Sequence, residues 1–221
     1  TWDRLEQNGH GPTYFARMKA VNRDGPPAPP DGELPVIDFD GLKRAIASGA
    51  SVIDVRSTAD FAAGNIPRTL NIPTGTSFAT WAGTLLPYDR DIVLLADGSD
   101  RIAAAQRTLA IIGHDRVVAR GDRELREEWR SREGPLATIE YIDADALATT
   151  DREVIDVRGR AEWDDGHLPN ATHIFLGDLA GRSNEIALDT PIAVHCHGGT
   201  RSAIAASVLQ AKGFTNVVNV A

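Results

Sequence analysis

The chain repeats itself, and this constrains its fold more than any other feature. Val52-Ile53-Asp54-Val55-Arg56 returns 102 residues later as Val154-Ile155-Asp156-Val157-Arg158. At the same spacing Gly64-Asn65-Ile66-Pro67 is answered by Gly166-His167-Leu168-Pro169, and Phe61 by Trp163. Farther along the spacing falls to 100, where Gly98, Arg101, Leu109, Gly113, Val117 and Val118 match Gly198, Arg201, Leu209, Gly213, Val217 and Val218. Matches in this number and order mean two homologous copies of about 100 residues, a common domain size. The copies are expected at 36–137 and 138–221, joined near 132–138. A Pro/Gly-rich connector over 23–35 separates them from an N-terminal piece bearing Trp2, Tyr14 and Phe15, so 1–35 reads as tail and linker.

Each copy alternates strands and helices. The β-branched runs 52–55 and 154–157 predict buried strands, followed by strands at 92–96 and 191–195. A Gly-bearing loop and an amphipathic helix come next, over 102–112 in one copy and 202–212 in the other. Gly113 and Gly213 stand where a glycine ends a helix, and valine pairs at 117–118 and 217–218 open the next strands. Short helices over 40–48 and 143–148 lead each copy, with an aspartate at the start. The fold class is therefore α/β, with two tandem domains, each a mostly parallel sheet flanked by helices. The chain stops just after the last strand, so the second copy is expected to lack its closing helix. The mixed-sign run 120–133 predicts a solvated helix.

Composition narrows the partners. A net charge of −8 opposes a phosphate backbone, which argues against nucleic acid. No apolar stretch is long enough to span a membrane. With one cysteine there is no internal disulfide, and a lone thiol suits a reducing, cytoplasmic setting.

That cysteine sits in a loop built for an anion. After the strand ending at His195 the chain runs Cys196-His197-Gly198-Gly199-Thr200-Arg201-Ser202 into a helix. Unpaired N–H groups and the dipole at a helix N-terminus favour negative charge, and adjacent glycines let the backbone curl into a nest. A thiol at the centre is favoured as its thiolate. Cys196 is thus the candidate nucleophile, and His197, Gly198, Gly199, Thr200, Arg201 and Ser202 are the candidate substrate-binding residues. The competing reading is a buried, inert structural cysteine. His195 is expected to point away from the thiol, since adjacent strand residues alternate faces. The remaining histidines, His10, His114, His167 and His173, look scattered and without zinc-ligand spacing, so no metal is expected. Asp156 with Arg158, like Asp54 with Arg56, reads as a structural ion pair beneath the loop. Arg160 is a weaker candidate for the mouth of the site.

The loop pattern C-x-x-x-x-R-S, with D-V-R and G-H-L-P upstream, resembles the rhodanese family over about 36–221. The resemblance implies a sulfurtransferase: Cys196 takes a sulfane sulfur from a thiosulfate- or persulfide-type donor, holds it as a persulfide, and yields it to a thiol or cyanide. It implies no cofactor. Five rather than four residues between Cys and Arg would resemble phosphatase loops, so the spacing here favours sulfur over phosphate. In the first copy Ala96-Asp97-Gly98-Ser99-Asp100-Arg101 takes the place of the cysteine loop. With no thiol, and two aspartates to repel an anion, that copy resembles an inactive rhodanese domain. Residues 14–19 and 22–26 are similar to the connector in fusions of a metallo-β-lactamase-fold domain with rhodanese domains, several of which resemble persulfide dioxygenases. That likeness implies an upstream metallo-β-lactamase-fold partner, whose H-x-H-x-D-H motif this chain lacks. It leaves a second reading, in which both copies serve as an interaction or regulatory module of such an enzyme.

Overall fold

The structure, a computed structural model, describes residues 33–221 together with Arg23. The N-terminal piece and most of the connector lie outside the described residues. Contacts divide the chain into two compact units, one holding 69–136 and the described residues before Ala62, the other holding 137–221 with 62–68.

In the first unit the strands are β1 (Ser51–Asp54), β2 (Leu70–Asn71), β3 (Ile92–Leu95) and β4 (Val117–Gly121), ordered β2-β1-β3-β4. In the second they are β5 (Glu140–Ile142), β6 (Glu153–Asp156), β7 (Thr172–His173), β8 (Ile192–His195) and β9 (Val217–Val220), ordered β5-β9-β8-β6-β7. Every pairing in both sheets is parallel. The two orders are the same, except that a single parallel bridge from Val36 to Arg120 stands where the second sheet has β5. Parallel sheets need cover on both faces, and the strands show it: β1, β3 and β9 are buried at every position.

The first unit's helices are α1 (Phe39–Ala47), α2 (Thr58–Ala63), α3 (Phe78–Leu85), α4 (Ser99–Ile111) and α5 (Arg123–Arg132). The second unit's are α6 (Ala144–Ala148), α7 (Arg160–Asp165), α8 (Leu176–Arg182) and α9 (Thr200–Ala211). Ile53, Val55, Ile92, Leu94, Ile102, Ala105 and Leu109 share one core with Phe78, Ala82 and Leu86 of the α3 region. No helix among the described residues is long and apolar enough to cross a membrane.

Several expectations change in detail. Helices α4 and α9 begin at Ser99 and Thr200, before the predicted 102 and 202, because the polar residues of their first turns show no apolar periodicity. Both end as predicted, at left-handed Gly113 (φ 80°) and Gly213 (φ 101°). Helix α1 is capped by Asp38, whose Oδ1 accepts from Gly41 N at 2.7 Å, and Asp40 falls inside the first turn. Helix α5 is not simply solvated: Leu125 and Arg126 are buried, and Trp129 packs its ring against Phe39 at 5.9 Å.

The repeated D-V-R forms the same clamp twice. Arg56 Nη2 lies 2.7 Å from Asp54 Oδ2, and Asp54 Oδ1 also accepts from the Arg56 backbone N–H at 3.0 Å. Arg158 repeats this on Asp156 at 2.7 and 2.9 Å, and adds a bond from Nη2 to the Gly166 carbonyl at 2.8 Å. Burial pushes the Asp156 carboxyl up, yet the Arg158 hydrogen bonds outweigh it and hold the group below its ordinary value.

Candidate active site

The site is the connection between β8 and α9. The strand ends at His195, and Cys196 follows, only 3% exposed. The chain then turns through Gly198 and Gly199. Gly199 adopts φ +78°, and a Cβ there would sit 3.0 Å from the Ala221 Cβ, so both conformation and space call for glycine. Gly199 is the N-cap of α9, which makes Ser202 the helix's third residue.

At that position a backbone N–H has no partner within the helix. Here it finds the sulfur: Ser202 N donates to Cys196 Sγ at 3.3 Å. The Ser202 hydroxyl is also 3.2 Å from Sγ. This side chain is fully buried, and its oxygen lies 3.1 Å from the Gly199 carbonyl and 3.4 Å from the Val220 carbonyl. One hydroxyl proton thus has three acceptors within reach. While sulfur carries its own proton, the thiol can donate to Oγ and the hydroxyl to a carbonyl. When sulfur is ionised, the hydroxyl can turn and donate to it without any heavy atom moving. The Gly199 carbonyl is not stranded by that turn, because Ala203 N (3.0 Å) and Asn219 Nδ2 (3.3 Å) also donate to it.

The Arg201 guanidinium pairs with Glu162 in α7, with Nη1–Oε2 at 2.5 Å and Nη2–Oε1 at 2.8 Å. Those hydrogen bonds pull the Glu162 carboxyl down to about 2 against the opposing effect of burial, and Glu162 in turn raises Arg201. Glu162 Oε2 also accepts from Gly159 N at 3.2 Å, which ties the start of α7 to the thiol loop through one ion pair. Sequence reasoning missed Glu162, although an acid recurs 102 residues earlier as Asp60.

The other loop candidates lie at the surface. His197, Gly198 and Thr200 are exposed, and space beside Gly198 is open. His195 lies on the sheet face that carries α6. There it helps line a cavity of about 440 Å³ with Leu147, Val154, Leu168 and Val220. Burial there lowers its basicity, and the neighbouring Asp156 only partly offsets this. His167 and His173 are not scattered: both stack on Trp163, with ring centroids at 3.7 and 4.9 Å. Arg160 pairs with Asp164 at 2.9 Å.

The equivalent loop of the first unit differs in chemistry and shape. Ala96 and Ile102, both buried, stand where the second loop has Cys196 and Ser202, so an apolar pair replaces the sulfur–hydroxyl pair. The positive-φ glycine is Gly98 (φ 96°, ψ 149°), one residue earlier and without the left-handed turn of Gly199. Asp97 is less repulsive than its sequence position suggests, because Arg126 pairs with it. Burial pushes that carboxyl up, but the Arg126 hydrogen bond and the charges of Arg126, Arg56 and Arg123 hold it below the ordinary range.

Comparison with known proteins agrees with this duplicated architecture. The family model described as a rhodanese-like domain matches twice, at 38–122 and 141–221. The putative sulfur carrier protein YrkF of Bacillus subtilis is 39% identical over 86 residues, covering 39% of this chain and 46% of that protein. The chain thus spans about half the length of that relative. The thiosulfate sulfurtransferase GlpE of Pseudomonas syringae is 32% identical over 77 residues, covering 35% of the chain and 73% of that protein. Among solved structures, a metallo-beta-lactamase from Staphylococcus aureus aligns over 51% of the chain and 31% of its own length, with 26% identity and a TM-score of 0.42.

Proposed function

The chain belongs to the rhodanese-like family, and from that premise we propose that its second unit is a sulfurtransferase acting through a Cys196 persulfide. The Cys196 thiolate attacks the outer, sulfane sulfur of a thiosulfate-type donor. A new S–S bond forms, the donor's S–S bond breaks, and sulfite leaves with the electron pair. An acceptor thiolate then attacks the outer sulfur of the persulfide, and the bonding pair returns to Cys196 as its thiolate. This is covalent catalysis in two half-reactions. His197, Gly198, Gly199 and Thr200 frame the approach to the sulfur, and Arg201, braced by Glu162, fixes where the first turn of α9 stands. A thiol used in this way has to be kept reduced, which suits a cytoplasmic setting.

One observation carries the reading: the only sulfur nucleophile of the chain is held at the N-terminus of a 12-residue helix, against both the backbone N–H and the hydroxyl of Ser202. Such donors stabilise a sulfur anion at the moment it attacks or leaves. The burial of Cys196 favours a rival reading, in which the thiol is inert and both units act as an interaction module. Mass spectrometry after incubation with thiosulfate separates the two. Gain of one sulfur atom at Cys196, lost again on adding cyanide, is expected of the enzyme, and no gain at saturating donor refutes it.

A further inference from the structure

Asn219, in β9, touches the thiol loop from inside the second unit and is fully buried. Its Nδ2 donates to the Gly199 carbonyl at 3.3 Å, whereas its buried Oδ1 has no hydrogen-bond partner among the described residues. An unpaired amide oxygen at that depth is a cost to the fold, one that an apolar side chain of similar volume would not carry. Packing alone therefore does not call for an asparagine here.

The nitrogen settles a competition among donors. A carbonyl oxygen has two lone pairs. The Gly199 carbonyl has three donors within reach: Ala203 N at 3.0 Å, Asn219 Nδ2 at 3.3 Å and the Ser202 hydroxyl at 3.1 Å. The first two fill it, and the hydroxyl is left over. Its other acceptors are the Cys196 sulfur at 3.2 Å and the Val220 carbonyl at 3.4 Å. A hydroxyl normally sits about 2.5–3.0 Å from an oxygen acceptor, so the Val220 carbonyl is a poor alternative. Sulfur has the larger radius and is met in close contact, and once it is an anion it is also the stronger acceptor.

The unit without a thiol lacks every part of this arrangement. Val194 pairs with Asn219 in the second sheet, and Leu94, at the same place in the first, pairs with Arg120. Arg120 thus stands for Asn219, one residue past the simple spacing of 100 because the register shifts between Ile92 and Val93. Its guanidinium turns to Asp122, with Nη1 at 2.8 Å from Oδ2. Ile102 stands for Ser202 and Ala96 for Cys196. Bracing of the loop would serve either unit alike, yet the amide is present only where there is a hydroxyl to direct and a sulfur to receive it.

We propose that Asn219 is a positioning residue for Cys196: by occupying the Gly199 carbonyl it directs the Ser202 hydroxyl onto the sulfur, where the hydroxyl stabilises the anion that attacks the donor and later leaves to the acceptor. The assignment rests on Cys196 as the nucleophile. Asn219 acts only through Ser202, and both side chains are fully buried, so neither takes part in binding the donor.

The test is a double-mutant cycle on the whole chain, with Asn219→Leu, Ser202→Ala and the two combined. Leucine removes the donor together with the unpaired oxygen, so the fold should survive, and Asn219→Ala serves if leucine does not fit. Two rates are read: single-turnover sulfur uptake from thiosulfate, and modification of Cys196 by iodoacetamide, which needs a sulfur nucleophile but no sulfur transfer. Asn219→Leu should slow both by about threefold or more, the scale of one neutral hydrogen bond, while the half-saturating thiosulfate concentration stays unchanged. In the Ser202→Ala background the same substitution should change neither rate, because no hydroxyl remains to direct. Equal slowing in both backgrounds, or none in either, would overturn the proposal and leave Asn219 as a brace of the loop. Coupling seen with iodoacetamide in a protein that takes no sulfur from thiosulfate would keep this assignment and sink the sulfurtransferase reading. A parent thiol inert to both reagents would overturn the two together.

Discussion

Ser202 offers the sharpest test of the thiol's surroundings. Replacing it with alanine removes the hydroxyl 3.2 Å from the sulfur but keeps the backbone N–H at 3.3 Å. A hydrogen bond to an ionised partner contributes about 1.5–3 kcal/mol, against about 1 kcal/mol for a neutral one. The hydroxyl therefore stabilises a sulfur anion that attacks or leaves by about 0.5–2 kcal/mol more than a neutral sulfur, and that difference is lost on truncation. It converts to a fall in transfer rate of more than twofold and up to about thirtyfold, since about 1.4 kcal/mol is tenfold. The structural cost should be about 1 kcal/mol, because the Gly199 carbonyl keeps its bonds from Ala203 and Asn219. The assay is steady-state transfer from thiosulfate to cyanide, beside urea denaturation of the same samples. A folded variant that transfers within twofold of the parent at every pH would refute this reasoning and leave Ser202 as a strut between Gly199 and Val220.

Other outcomes follow from the same geometry. Cys196→Ser should abolish transfer and leave the unfolding midpoint nearly unchanged; transfer near the parent rate in the folded variant would remove Cys196 from the mechanism. Ala96→Cys should acquire no persulfide by mass spectrometry, because Ile102 supplies no hydroxyl and the loop lacks the left-handed N-cap of Gly199; a sulfur adduct there would show that neither is needed. Gly199→Ala should destabilise by about 1–2 kcal/mol through its left-handed backbone and the approach of Ala221, while Gly198→Ala, with open space, should be nearly neutral in urea titration. The Glu162–Arg201 pair should stabilise the fold fully above pH 4.5, the ordinary glutamate value, and lose that contribution as pH falls through about 2. With Glu162 40% exposed, solvent screening limits the effect to under about 1 kcal/mol, and Glu162→Gln should flatten stability over this acid window.

Much of this was legible in the sequence because a repeat tests each inference twice. D-V-R could be assigned a structural part since Asp54 and Arg56 persist beside a loop with no thiol, and the two clamps match to within about 0.1 Å in their shortest bonds. Gly113 and Gly213 marked helix ends because left-handed backbone leaves little choice of residue. What stayed hidden depends on direction and on distant partners. Nothing in the sequence around Arg201 says that its guanidinium turns toward Glu162, 39 residues away. Likewise Asp97 looks purely repulsive until the fold brings Arg126, 29 residues on, against it. The run 120–133 looks solvated by composition, yet one buried leucine and one buried arginine set its orientation. Local patterns report local backbone, whereas pairings between charged side chains are fixed only by the assembled sheet.

The strand order also governs how each unit can be assembled as it is made. β5 pairs with β9 alone, so the strand that leads the second unit has no neighbour until residues 217–220 leave the ribosome. Val36 waits in the same way for Arg120. Between these times β6, β8 and β7 can join, but one edge of the growing sheet stays bare, with Tyr141 still 40% exposed in the finished unit. Synthesis adds about 5–20 residues each second, so this interval lasts for seconds. A nascent chain stalled before residue 217 would carry an open edge able to pair with another chain. Arrival of residues 217–220 therefore decides whether this edge closes or stays open to another chain.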